Sequence, residues 1–169
     1  MKNIIIGNFL SFVAMILLFV ATAKKDNKQL IKIQGISHFF FALAGVVLKG
    51  YAGVVQDGVG FVRNMLILRN KNTRITKIFL LLIAVFLGLY LNNTSYIGIL
   101  PIIGTFQYTV ISTMDGVSNK MLKNSMIFNS LLMIIYSAFI KNYVNIFTNI
   151  VVIVISVLSI FDKRKAIDI

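Results

Sequence analysis

Apolar runs of helical length recur along the chain, separated by short breaks of Lys, Arg, Asn, Asp and Gly. Setting runs against breaks predicts seven helices, at about 4–22, 30–48, 51–68, 76–92, 96–114, 121–140 and 144–161. Each approaches the roughly 20 apolar residues that a helix needs to cross a hydrocarbon core. The breaks are Lys24 to Lys28, Lys49-Gly50, Arg69 to Arg74, Asn92 to Ser95, Asp115 to Lys120 and Lys141-Asn142, with a tail from Asp162. The fold class predicted is all-α, a polytopic transmembrane helical bundle of seven spans.

The first run, after Met1-Lys2 and before Ala21-Thr22-Ala23, imitates a secretory signal with its cleavage site. It is long for a signal core, and Lys24, Lys25, Lys28 and Lys32 follow it, so it reads as a retained first span with that end held in the cytoplasm. If the breaks alternate sides, Lys24, Lys25, Lys28, Lys32, Arg69, Lys71, Arg74, Lys77, Lys120, Lys123, Lys163, Arg164 and Lys165 share one side. Only Lys2, Lys49 and Lys141 fall on the other. Positive charge is retained inside, which places the N-terminus outside and the C-terminus in the cytoplasm, and demands an odd number of crossings.

An internal repeat agrees with seven. The segment from Asn27-Lys28 lies over that from Asn119-Lys120 without a gap, pairing Leu30 with Leu122, Lys49 with Lys141, Tyr51 with Tyr143, Leu66 with Leu158 and Lys71 with Lys163. A shift of a few residues also pairs Gly7 with Gly104. Three crossings leave the chain on the wrong side to start a second unit in the same orientation, so the fourth span acts as an inversion linker. The organisation predicted is a parallel 3+1+3 duplication: a triple-helix unit over 1–72, a linker helix over 73–94, and a second unit over 95–169 ending in a short cytoplasmic tail. The two units would be related by a pseudo-two-fold axis along the membrane normal.

Composition narrows the chemistry. The chain is 58% hydrophobic and 13% charged with a mean hydropathy of +0.89, against about 45–50% and about 25% for a soluble domain. A net charge of +12 would suggest nucleic acid in a soluble protein. Here the cations lie between apolar runs, where topology and anionic lipid headgroups account for them. With no Cys, one His and five acidic residues, all Asp, thiolate metal sites are excluded and most hydrolytic mechanisms lack their parts. No enzyme activity, metal or cofactor is expected.

Polar side chains inside spans are costly, about 2.5–3.5 kcal/mol for Asp or Arg near the centre, so their positions carry information. Gln56, Asp57, Gly60, Arg63 and Asn64 form one stripe on the third span, and Asn145, Thr148, Asn149, Ser156 and Ser159 one on the seventh. Asn8 and Ser11 on the first span, and Thr105, Tyr108 and Ser112 on the fifth, add two more. Four stripes facing one polar cavity would bind a solute; the plainer reading is interhelical glue. Asp57 is the only acid deep in a span. Arg63, about 9 Å along the helix and about 120° around it, makes a poor partner for it and reads as snorkelling toward the cytoplasm. His38 reads as a packing residue, with a cavity role as its minority alternative.

Two short motifs carry a resemblance. Leu100-Pro101-Ile102-Ile103-Gly104-Thr105 and Arg63-Asn64-Met65-Leu66-Ile67-Leu68-Arg69 resemble motifs of the YgjV-type bacterial inner-membrane protein family. That family looks like a distant branch of the SWEET and PQ-loop superfamily. The resemblance implies triple-helix bundles, the 3+1+3 layout with an outside N-terminus, and alternating access around a central site. In sugar-transporting relatives an Asn from the third span and one from the seventh hold the substrate. The nearest equivalents here are Asp57 with Asn149, or Asn64 with Ser156, and the chain has no Pro-Gln dipeptide.

The leading expectation is a facilitator or transporter of a small polar solute in a bacterial inner membrane. Its substrate-binding residues would be Asp57, Asn64, Asn149 and Ser156, completed by Asn8, Ser11, Tyr108 and Ser112. The alternative is a non-transporting scaffold or regulatory protein with a closed interior. Expected partners are the solute and membrane lipids, anionic headgroups included, and no nucleic acid; homo-oligomerisation stays open.

Overall fold

The computed structural model describes residues 1–22, 24, 26–71, 73–113 and 117–161, the side chains of residues 22, 27, 112, 113 and 119 excepted. Among these, seven α-helices follow one another: α1 Lys2–Thr22, α2 Asn27–Val47, α3 Tyr51–Leu68, α4 Arg74–Tyr90, α5 Ile99–Thr113, α6 Asn119–Phe139 and α7 Tyr143–Phe161. A single 3-10 turn, Ser95–Gly98, leads into α5. The helices lie where the apolar runs predict them, and the expected tail from Asp162 lies outside the described residues. Three of them, at Lys2–Ala21, Lys28–Val47 and Tyr143–Phe161, are long and apolar enough to cross a membrane on length and composition alone. The remaining four are shorter or more polar.

Side-chain caps and tight turns hold the helix ends, and a left-handed turn at Asn70 also closes α3 while Asn142 caps α7. At one end α2, α4 and α6 begin on side-chain caps: Asp26 accepts from the Lys28 N–H, Thr73 from Thr76 and Ser118 from Met121. Each such cap stabilises its helix by about 1 kcal/mol. At the other end α2 and α6 stop in matching tight turns, where Lys49 and Lys141 both adopt φ of 59°. The next amide closes each turn on a carbonyl five residues back, Gly50 on Gly45 and Asn142 on Ser137, both at 2.8 Å. These are called below the capped end and the turn end.

Packing closes the helices into a ring. α2 lies between α1 and α3, α6 lies between α5 and α7, α7 meets α1, and α3 meets α5. α4 rides on the α3–α5 seam and touches both, burying Leu80, Ala84 and Gly88, which recur every four residues. Gly88 permits that approach, because a Cβ there would stand 2.9 Å from Gln56 Nε2 and from Ile102 Cγ1.

The burial pattern is inverted relative to a protein in water. The interior holds small or polar side chains, among them Ala14, Ala44, Ala52, Ser11, Ser37, Asn64 and Ser156. Large apolar ones point outward on several helices, such as Phe9, Phe12, Phe79, Phe86, Phe147 and Leu158. In hydrocarbon there is no hydrophobic drive between helices, so small residues and hydrogen bonds hold them together. The Ser37 hydroxyl donating to the Ala14 carbonyl at 2.7 Å is one such bond.

The expected pairing of Gly7 with Gly104 does not match in depth. A Cβ on Gly7 would run into Leu48 at the turn end of α2, whereas one on Gly104 would meet Asn129, midway along α6. The α1 position level with Gly104 is Ala14, which meets Ser37 midway along α2.

Candidate functional site

Inside the ring lies a cavity of about 780 Å³, to which all seven helices contribute side chains. Its polar wall combines Asp57, Arg63 and Asn64 of α3, Tyr108 of α5, and Asn149 and Ser156 of α7. The helical period explains this, since residues three, four and seven apart share a face and both stripes turn inward. Five expected site residues, Asp57, Asn64, Asn149, Ser156 and Tyr108, therefore stand on one surface.

The other three do not. Asn8 is engaged at the turn end, where its Nδ2 donates to the Lys141 carbonyl at 2.9 Å and its Oδ1 accepts from the Val144 N–H at 3.1 Å. Ser11 is fully buried off the cavity wall. The side chain of Ser112 lies outside the described residues.

The site's ion pair was not legible as a pair. His38 Nδ1 of α2 stands 3.0 Å from Asp57 Oδ1 of α3, and both side chains line the cavity. The imidazole lies against Gly60, where a Cβ would come within 3.1 Å of three ring atoms. Side-chain exposures of 26% for His38 and 21% for Asp57 leave the pair reachable from the cavity. Hairpin arithmetic was the available signal: His38 and Gly60 lie equally far from Lys49 at the turn, and Asp57 is one helical turn from Gly60.

Arg63 lines the cavity and forms no ion pair or hydrogen bond among the described residues, nor does Lys77 of α4. Three buried wall atoms also lack partners among the described residues: Gln56 Oε1, Asn64 Nδ2 and Asn129 Oδ1. An unpaired buried polar atom costs about 1–3 kcal/mol. Among the described residues no three His, Cys, Asp or Glu side chains converge to hold a metal ion.

Side-chain hydrogen bonds clasp the helices together at the turn end. Asn8 of α1 bridges the α6–α7 turn, as above. Asn93, just before α5, does the same to the α2–α3 turn: its Nδ2 donates to the Lys49 carbonyl at 2.7 Å and its Oδ1 accepts from the Tyr51 N–H at 3.3 Å. Between these two, Tyr136 of α6 is 1% exposed and its hydroxyl accepts from the Gly53 N–H of α3 at 3.1 Å. Gly50 and Gly53 leave room for the ring; a Cβ on Gly53 would stand 2.8 Å from Tyr136 Cε1. Each link joins α1–α3 to α5–α7 or to the segment leading into α5.

A protein-family model described as bacterial inner membrane protein matches residues 5–166. No curated protein and no solved structure matches the chain.

Proposed function

The chain belongs to the YgjV family of bacterial inner membrane proteins, and from that premise we propose that it is a multi-pass facilitator or transporter of a small polar solute rather than an enzyme. The observation that carries this reading is a cavity of about 780 Å³ on whose largely apolar wall the polar stripes of α3 and α7 meet, in a bundle held at one end by side-chain hydrogen bonds between helices. Breaking those links while others form at the capped end would expose the same wall to the opposite side, which is alternating access.

In this reading all seven helices cross the membrane. The Lys- and Arg-rich capped end is cytoplasmic and the turn end, with the N-terminus, is outside. The 3+1+3 parallel duplication and the SWEET-like relationship belong to the same proposal, with 1–72 and 95–169 as the two units and 73–94 as the linker. The wall supports it: Ser37 and Asn129, His38 and Ser130, Gln56 and Thr148, Asp57 and Asn149, and Asn64 and Ser156 all line the cavity, each pair ninety-two positions apart. The α3–α5 and α7–α1 seams are likewise equivalent under that register, and α4 lies outside the ring as a linker would.

The test is uptake into proteoliposomes from a panel of sugars, nucleosides, vitamins, amino acids and organic acids, with and without a proton gradient. Asp57→Ala and Asn149→Ala are each expected to abolish uptake while the protein still inserts. Uptake unchanged in both variants removes these residues from the site. Absence of uptake of every solute by the parent favours the scaffold reading.

A further inference from the structure

We infer that the solute carried is a small anion bearing carboxylate or phosphate oxygens, and that Lys49 and Lys141 receive it at the turn end. This rests on the transport reading above. Beyond the clasp lies a second, smaller cavity of about 280 Å³, lined by Lys49, Lys141, Asn3, Thr94 and the last residues of α2 and α6. The two lysines are ninety-two positions apart, the interval that relates the paired wall residues of the large cavity.

Neither lysine is there for backbone or topological reasons. Both hold the left-handed conformation, which costs a side chain other than Gly, Asn or Asp about 1–2 kcal/mol. The turn geometry alone would select Gly or Asn. In the proposed orientation they stand on the outer side, where the rule that concentrates Lys and Arg in the cytoplasm does not call for them. Their ammonium groups form no ion pair or hydrogen bond among the described residues.

Among the described residues no acidic group offsets them. Among the described residues the acids are Asp26, which caps α2 at the opposite end, and Asp57, which is engaged by His38. Past the clasp the same sign recurs, with Arg63 and Lys77 on the large cavity wall and neither of them paired. The solute's path thus carries unpaired cations on both sides of the closure. A low-dielectric channel so lined concentrates anions and repels cations.

The experiment measures uptake of radiolabelled phosphate, succinate, glucose and lysine into proteoliposomes of phosphatidylcholine, which supply no anionic headgroup. Saturable uptake of phosphate or succinate is expected. In a Lys49→Asn, Lys141→Asn double variant the initial rate should fall about tenfold at low salt, the gap narrowing near about 0.5 M salt as screening shortens to a few ångströms. Asn adopts the left-handed conformation readily, so the variant keeps its turns, and a Lys49→Arg, Lys141→Arg variant should retain the rate. Uptake of glucose or lysine without either anion overturns the inference and leaves transport standing. No uptake of any of the four by the parent overturns the inference, and no uptake across the wider panel above overturns transport with it. Lysine dependence that appears only when phosphatidylglycerol is added assigns the pair to lipid headgroups and overturns the inference.

Discussion

The hydroxyl of Tyr136 offers the sharpest test of the closure. Tyr136→Phe keeps the ring between Gly50 and Gly53 and removes the acceptor of the Gly53 N–H, now bonded at 3.1 Å. Gly53 is the third residue of α3, so its amide is one of the first-turn donors with no intrahelical partner. It is buried, and losing its acceptor costs the clasped arrangement about 1–3 kcal/mol. An arrangement opened at that end lets water reach both groups and does not bear that cost. The equilibrium should therefore shift toward opening by about 5- to 150-fold.

The chain has no Cys, so one added thiol reports access cleanly. Val152→Cys, on the cavity wall, can be labelled by a membrane-impermeant maleimide applied from the turn-end side. Labelling should be slow in that background and accelerate by the factor above when Tyr136→Phe is added. Gly58→Ala, whose Cβ would meet nothing within 4 Å, should leave the rate unchanged. Equal rates with and without the Tyr136 hydroxyl refute its role in the closure.

Asn8→Ala and Asn93→Ala each delete two hydrogen bonds that link separate helices or turns at the same end, and Asn8→Ala also the bond to the Ile4 carbonyl within α1. Because these bonds are more exposed, each is worth about 0.5–1.5 kcal/mol, and each variant should speed labelling of Val152→Cys while leaving thermal unfolding in detergent little changed. Gly104→Ala drives a methyl group into Asn129 Oδ1, an overpacking cost of about 1–3 kcal/mol. A lowered unfolding midpoint is expected, recovered when Asn129→Ala is combined with it; a midpoint that stays low in the double variant points to strain elsewhere.

Much of the architecture was legible because a hydrocarbon solvent constrains sequence strongly. Unpaired backbone groups are intolerable there, so long apolar runs must be helices, and the breaks between them fix where each helix ends. The inward stripes on α3 and α7 were legible by the same logic, since Asp57, Asn64, Asn149 and Ser156 are too polar to face lipid. That Asn8 and Ser11 lie off the cavity wall was not legible, because one polar side chain looks alike on a cavity wall, in a buried contact and in a clasp. Only the position of its neighbours distinguishes them, and for Asn8 those neighbours are 133 and 136 residues away.

By itself, then, the sequence determined the helices, their order and the polar faces of α3 and α7 that turn inward, because these follow from the period of the helix and the cost of polar groups in hydrocarbon. The tertiary structure decided which polar groups meet. It brought His38 to Asp57, set Tyr136 against Gly53, and placed Lys49 beside Lys141 around one small cavity. Such contacts depend on the depth at which one helix sits against another. Packing of small residues such as Gly53, Gly60 and Gly88 sets that depth, and no local pattern along the chain records it.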